Sequence, residues 1–206
     1  MVSFMARITS TFTVTTSDRV SPTIQRVMFD VSDITPFADS PNTDAYVKLL
    51  FEPPAGETSA TDAAATETTA RIMRTYTVHS IDADAATLTI DFALHGDEAG
   101  NSGSGSGIAC AWALSARPGD VIEALGPGGA YSPNPDATRH LLCGDATAIP
   151  AIASAIKALP ADAIADVVVE APDYADVDLI PNHPGAAITH VTPSNAPAAE
   201  PGDSLV

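Results

Sequence analysis

Residues 71–94, RIMRTYTVHSIDADAATLTIDFAL, decide the architecture. Thr87–Leu94 alternates cleanly, with Leu88, Ile90, Phe92 and Leu94 on one face and Thr89 and Asp91 on the other. That period of two reads as a half-buried strand. Arg71–Ile81 reads as the strand before it. Working outward, Ile8–Thr15 sets Ile8, Ser10, Phe12 and Val14 against threonines, and Ile24–Val31 and Ala45–Phe51 follow as strands. Asp120–Leu125 is a sixth. Six strands of antiparallel type with turn signals between them predict a small barrel.

After residue 135 the pattern changes. Arg139–Cys143 is a short strand, Gly144–Ala148 a turn, and Ile149–Leu159 an alanine-rich helix. Asp166–Ala171, with Val167, Val168 and Val169, reads as a buried strand, and Ala187–Val191 as another. Alternating strand and helix predicts the start of a parallel sheet. The expected division is a barrel domain over 1–135 and an incomplete α/β domain over 136–206. A doubly wound domain usually needs more strands than this, so the chain reads as truncated. Residues 52–70 and 97–107 lack periodicity and are expected to be flexible loops.

The 206 residues carry 26 acidic and 9 basic side chains, a net charge of −17. No basic stripe exists to neutralise phosphates, which argues against nucleic-acid partners and anionic membrane surfaces. No apolar run approaches the roughly 18 residues of a membrane span, and Met1–Ser10 lacks the pattern of a signal peptide. A soluble, cytoplasmic protein without stable membrane insertion is the expectation. Mean hydropathy of +0.13 is compatible with a buried core. Cys110 and Cys143 form no disulfide framework, and the five scattered histidines have no metal-ligand spacing.

Four segments can carry chemistry. In Arg74-Thr75-Tyr76-Thr77, alternation puts Arg74 and Tyr76 on one face. An arginine can grip a pyrophosphate bidentately, and a tyrosine can stack on a flat ring. Gly107-Ile108-Ala109-Cys110-Ala111-Trp112-Ala113 opens a helix whose free N–H groups and dipole suit a diphosphate; Trp112 itself reads as a core residue. Gly126-Pro127-Gly128-Gly129 reads as a turn. Gly144-Asp145-Ala146-Thr147-Ala148-Ile149-Pro150-Ala151 follows a strand and opens a helix, with Asp145 or Thr147 as cap and Pro150 in the first turn. Taken singly, each segment also reads as ordinary structure: an edge strand, a packed helix, a loop, a capped helix.

As an ordered set these segments, with His95-Gly96, Pro118-Gly119-Asp120 and Tyr46–Phe51, resemble the siderophore-interacting protein family. These are FAD-containing ferric-siderophore reductases of the ferredoxin-reductase superfamily. The resemblance runs from about Val20 to about Ile180. It implies a six-stranded FAD-binding barrel followed by a partial Rossmann-like NAD(P)-binding domain. It further implies that Arg74 holds the FAD phosphate, that Tyr76 lies against the isoalloxazine and that Thr77 bonds near its reactive edge. His95, Gly96, Gly107, Ala109 and Cys110 would line the rest of the cofactor together with Thr75, and Asp145 and Thr147 would face the nicotinamide side. Lys48 and Arg71 are the substrate-side candidates. The implied reaction is hydride transfer from NADH or NADPH to FAD, then one-electron reduction of a ferric siderophore. A flavin-binding remnant without turnover, or a reductase passing electrons to a protein partner, are the other readings. The sequence departs from the family pattern at His79 (usually Arg), Ile108 (usually Pro), Cys110 (usually Ser) and Ala146 (usually Glu). No lysine or arginine follows Ala158, so a preference for NADPH has no support.

Overall fold

The computed structural model describes residues 9–53, 71–94 and 107–193. Six strands close into one antiparallel barrel in the order β1-β2-β5-β4-β3-β6. They are β1 (Thr9–Ser21), β2 (Ile24–Val31), β3 (Tyr46–Phe51), β4 (Ile72–Asp82), β5 (Thr87–Ala93) and β6 (Val121–Gly128). Alternation decides which side chains fill the interior. Phe12 and Val14 of β1, Val27 and Phe29 of β2, Val47 and Leu49 of β3, and Leu88, Ile90 and Phe92 of β5 are all buried there. Two short helices flank the barrel. They are α1 (Thr35–Ala38), whose Phe37 ring meets Phe12, and α2 (Ile108–Ser115). The small residues Ala109 and Ala113 are buried, which lets α2 approach closely and bring Trp112 over the barrel. The indole stacks on Phe29 at 6.2 Å and meets Phe51 edge-on at 5.9 Å. Its role as a packed core residue is the one expected.

Three expectations change. The first strand runs on to Ser21, because its second half pairs with β2 from Met28 to Ile24 across two register shifts. Thr89 and Asp91, expected on a solvated face, are buried at 5% and 6% exposure. Gly126–Gly128 is the end of β6 rather than a free turn. There Gly126 adopts φ +154°, and a Cβ on Gly128 would lie 2.3 Å from the Tyr46 ring.

A second sheet follows. Strands β7 (Arg139–Asp145), β8 (Ile164–Glu170) and β9 (Ala186–Val191) pair in parallel in chain order. A 3₁₀ turn at Ala146–Ala148 leads into α3 (Ile149–Ala158), and α4 (Tyr174–Val177) lies between β8 and β9. Ile149, Ile152 and Ile156, spaced at helical period, pack with Val167, Val169 and Ala165 of β8. Helix α3 also packs on β4 of the barrel. Buried Asp176 of α4 accepts hydrogen bonds from the hydroxyls of Ser21 and Thr23, the latter at 2.6 Å. These contacts fix the sheet against the barrel beside the flank where β4 and β5 run. The expected loops at 52–70 and 97–107 fall almost wholly outside the described residues.

Candidate functional site

Between barrel and sheet lies a cavity of about 550 Å³, within the usual range for small-molecule sites. Its wall takes Ile24 from β2, Arg74, Thr75, Tyr76 and Thr77 from β4, and Asp91 and Ala93 from β5. Gly107, Ala109 and Cys110 come from the start of α2, and Ala146, Thr147 and Pro150 from the second unit.

The pairing register explains how β4 serves this site. Tyr76 sits opposite buried Val47 and Arg74 opposite buried Leu49, so both point to the interior side as alternation predicts. At this end of the barrel that side opens onto the cavity. The Tyr76 ring packs on Phe92 at 4.5 Å. Burial pushes the phenol's pKa well up, with Cys110 adding and Arg74 opposing, so the ring is a neutral surface at any physiological pH. Arg74 donates Nη1 to its neighbour's carbonyl, Met73 O, at 2.9 Å, and has no acidic partner among the described residues. Its remaining N–H groups suit a bidentate oxyanion.

Helix α2 begins at Gly107 without a side-chain cap, which leaves its first amides free of intrahelical acceptors. A Cβ on Gly107 would meet nothing within 4 Å, so a ligand can reach the backbone there. The Cys110 thiol donates to Ala93 O at 3.4 Å. Across the cavity, Asp145 caps the 3₁₀ turn by accepting from Thr147 N at 2.9 Å and from Thr147 Oγ1 at 2.5 Å. Thr147 thus reaches the wall with its hydroxyl hydrogen committed, leaving an acceptor oxygen exposed.

Beneath the wall lies a charged cluster that the sequence reading did not assign. Asp91, at the wall, takes a bidentate pair from Arg26 at 2.7 and 2.8 Å. His79 Nδ1 lies 3.0 Å from Oδ2, the same carboxylate oxygen that accepts from Arg26 Nη2. Burial alone would raise the Asp91 pKa. The hydrogen bonds from Arg26 and His79 outweigh it and hold the carboxyl below its ordinary value. His79 sits at the register shift between Val78 and Ser80, a bulge in β4. The paired Arg26 and Asp91, directly opposite each other in β2 and β5, were the signal available in the sequence.

Of the predicted site residues, Arg74, Thr75, Tyr76, Thr77, Gly107, Ala109, Cys110 and Thr147 converge on this cavity. Asp145 stands behind it as a cap. Lys48 and Arg71 are not on the wall; Lys48 is paired with Thr75 across the strands, and Arg71 is bonded to Glu123. His95 and Gly96 lie outside the described residues. Ile24, Asp91, Ala93, Ala146 and Pro150 are wall residues that no site prediction included. A cation without a counter-charge, uncapped helix amides, a flat neutral ring and hydroxyl groups together fit a flavin with a diphosphate tail.

A closed six-stranded antiparallel barrel is thus joined to a parallel α/β sheet, with the cavity between them. The chain belongs to the siderophore-interacting protein family: residues 13–131 match its siderophore-interacting FAD-binding domain and residues 137–206 the siderophore-interacting protein model. An uncharacterized protein of Mycobacterium tuberculosis is 38% identical over 167 residues, covering 77% of this chain and 56% of that protein. The ferric vibriobactin reductase of Vibrio cholerae is 35% identical over 105 residues, covering 51% of this chain and 36% of its own. The crystal structure of a siderophore utilization protein from T. fusca superposes with TM-score 0.72 at 33% identity, over 92% of this chain and 70% of that one. The chain thus spans about half the length of the mycobacterial relative, or 56%. No helix among the described residues is long and apolar enough to cross a membrane.

Proposed function

We propose that this chain binds FAD in the cavity between β4 and α2 and reduces ferric siderophores with electrons from NADH or NADPH. The division into a barrel domain over 1–135 and a nucleotide-facing domain over 136–206 belongs to the same proposal. The observation that carries it is the convergence of Arg74, Tyr76, Thr77, the uncapped α2 terminus and Thr147 on one cavity.

Each residue has a task. Arg74 would pair with the diphosphate, and the free α2 amides would receive the same negative charge. Tyr76, held rigid by Phe92, offers a neutral face to the flat ring. Thr77 offers a hydroxyl at the ring edge, and Thr147 an acceptor oxygen on the nicotinamide side. When bound, FAD accepts a hydride and returns its electrons singly. The chain's part is to orient the group and keep its tail neutralised. Two ferric centres are reduced per hydride, with one proton released. Hard oxygen chelators hold Fe(II) more weakly than Fe(III), so the metal leaves.

The test begins with the purified chain. It should take up FAD and become yellow, and anaerobic NADH or NADPH should bleach that absorbance. A ferric siderophore should then restore it while an iron(II) trap colours. A yellow protein that never bleaches is a flavin binder without turnover. One that bleaches but ignores every ferric chelate passes its electrons elsewhere.

A further inference from the structure

We infer that Asp91 and His79 together place a proton-dependent charge beside the flavin's reacting edge. His79 is then a positioning residue that acts through Asp91 and tunes the cofactor's reduction potential. The inference rests on the FAD reading above and concerns only the charge that this flank of the site presents to the ring.

Asp91 is a wall residue whose carboxylate is almost wholly covered. One residue beyond the paired Val78 and Ile90 come Thr77 and Asp91, and both line the cavity. Thr77 is the side chain proposed for the ring edge, so Asp91 is that edge's strand neighbour, about 5 Å across the sheet. With Arg26 it makes a closed pair of no net charge. His79 Nδ1 meets the same carboxylate at 3.0 Å and Arg26 Nη2 at 3.4 Å. A neutral imidazole satisfies one of these contacts, donating to Asp91 or accepting from Arg26, so the ring is held in place before it takes a proton. Once protonated it donates to Asp91, and the cluster carries one positive charge. The imidazole is 11% exposed, and salt screens a charge so placed far less than one on the surface. The charged groups it touches are Asp91 of β5 and Arg26 of β2. Of the other elements packed on β4, β3 brings Tyr46 and Lys48, α3 brings Lys157 and α1 brings no titratable group. Strand β4 itself carries Arg74, Tyr76 and Asp82. Histidine is the residue type in this set that ordinarily changes charge between about pH 5 and 8. A hydride leaves the flavin ring with one added negative charge. His79 lies two residues along the strand from Thr77, about 7 Å. A proton on it favours the reduced ring, and by linkage reduction favours the proton.

The experiment is a redox titration of FAD-loaded protein against reference dyes from about pH 5 to 8, on the wild type, His79→Gln and His79→Arg. The Arg variant keeps a fixed cation at this position and the Gln variant a neutral group. At a given applied potential the ratio of reduced to oxidised flavin should be about tenfold higher in the Arg variant than in the Gln variant, or about 30 mV for a two-electron couple. Plotted against pH, the wild type should follow the Arg variant in acid and cross to the Gln variant as pH rises. Over the crossing it should take up more protons per electron pair than either variant. A histidine with a packing role only would leave the wild type parallel to both. If the Gln variant does not fold, the wild type and the Arg variant must still converge in acid and part above it. Parallel lines over the whole range overturn the inference and leave the flavin reading intact. A wild-type chain that takes up no FAD overturns both.

Discussion

Arg74 is the one wall residue whose charge is not answered within the described residues, and that makes it the most exposed to test. Arg74→Ala should weaken FAD binding at least about tenfold, since a charge-assisted bidentate contact is worth roughly 1.5–3 kcal/mol. Flavin fluorescence on dilution measures it, and unchanged occupancy would remove the assignment. Asp91 is the opposite case, a buried carboxylate fully answered by Arg26 and His79. Asp91→Asn leaves Arg26 without its counter-charge and should cost about 3 kcal/mol in urea unfolding. The sign of its pH dependence follows from the lowered pKa. The group contributes stability above the ordinary carboxylate range and loses it as pH falls through its folded value. Wild-type stability should therefore drop in acid along a slope that the Asn variant lacks. Arg74 and Tyr76 were legible because their spacing repeats at two. The His79 role was not, since a bulge breaks that spacing at the residue concerned.

At the scale of elements, alternation located all six barrel strands, and helical period located α3. Alternation misjudged β5, whose polar face is covered because Asp91 brings its own counter-ion from β2 and α3 packs against the neighbouring β4. It also stopped β1 early, since apolar alternation fades after Val14 while hydrogen-bonded pairing with β2 continues. The turn into α3 behaves as its sequence foretold. Asp145→Ala should cost about 1 kcal/mol of stability by loss of the cap. FAD affinity should change by less than it does in the Arg74 variant, because Asp145 stands behind the wall. Parallel measurements of unfolding and flavin binding on the two variants separate a cap from a contact.

At the scale of the molecule, no sequence pattern announced how the two units would meet. The joint depends on Ser21 and Thr23 at the end of a strand and Asp176 in a one-turn helix, over 150 positions apart. Side chains this far apart in sequence share no local period to read. Around that joint the cavity draws its wall from both units, Arg74 through Cys110 on one side and Ala146 through Pro150 on the other. Its occupant is thus a keystone. Loading with FAD at a hundredfold excess over its Kd should add about 2.7 kcal/mol. That gain should reach barrel and sheet alike and merge their melting into a single calorimetric peak, whereas a guest held by the barrel alone would lift one peak and leave the other where it was.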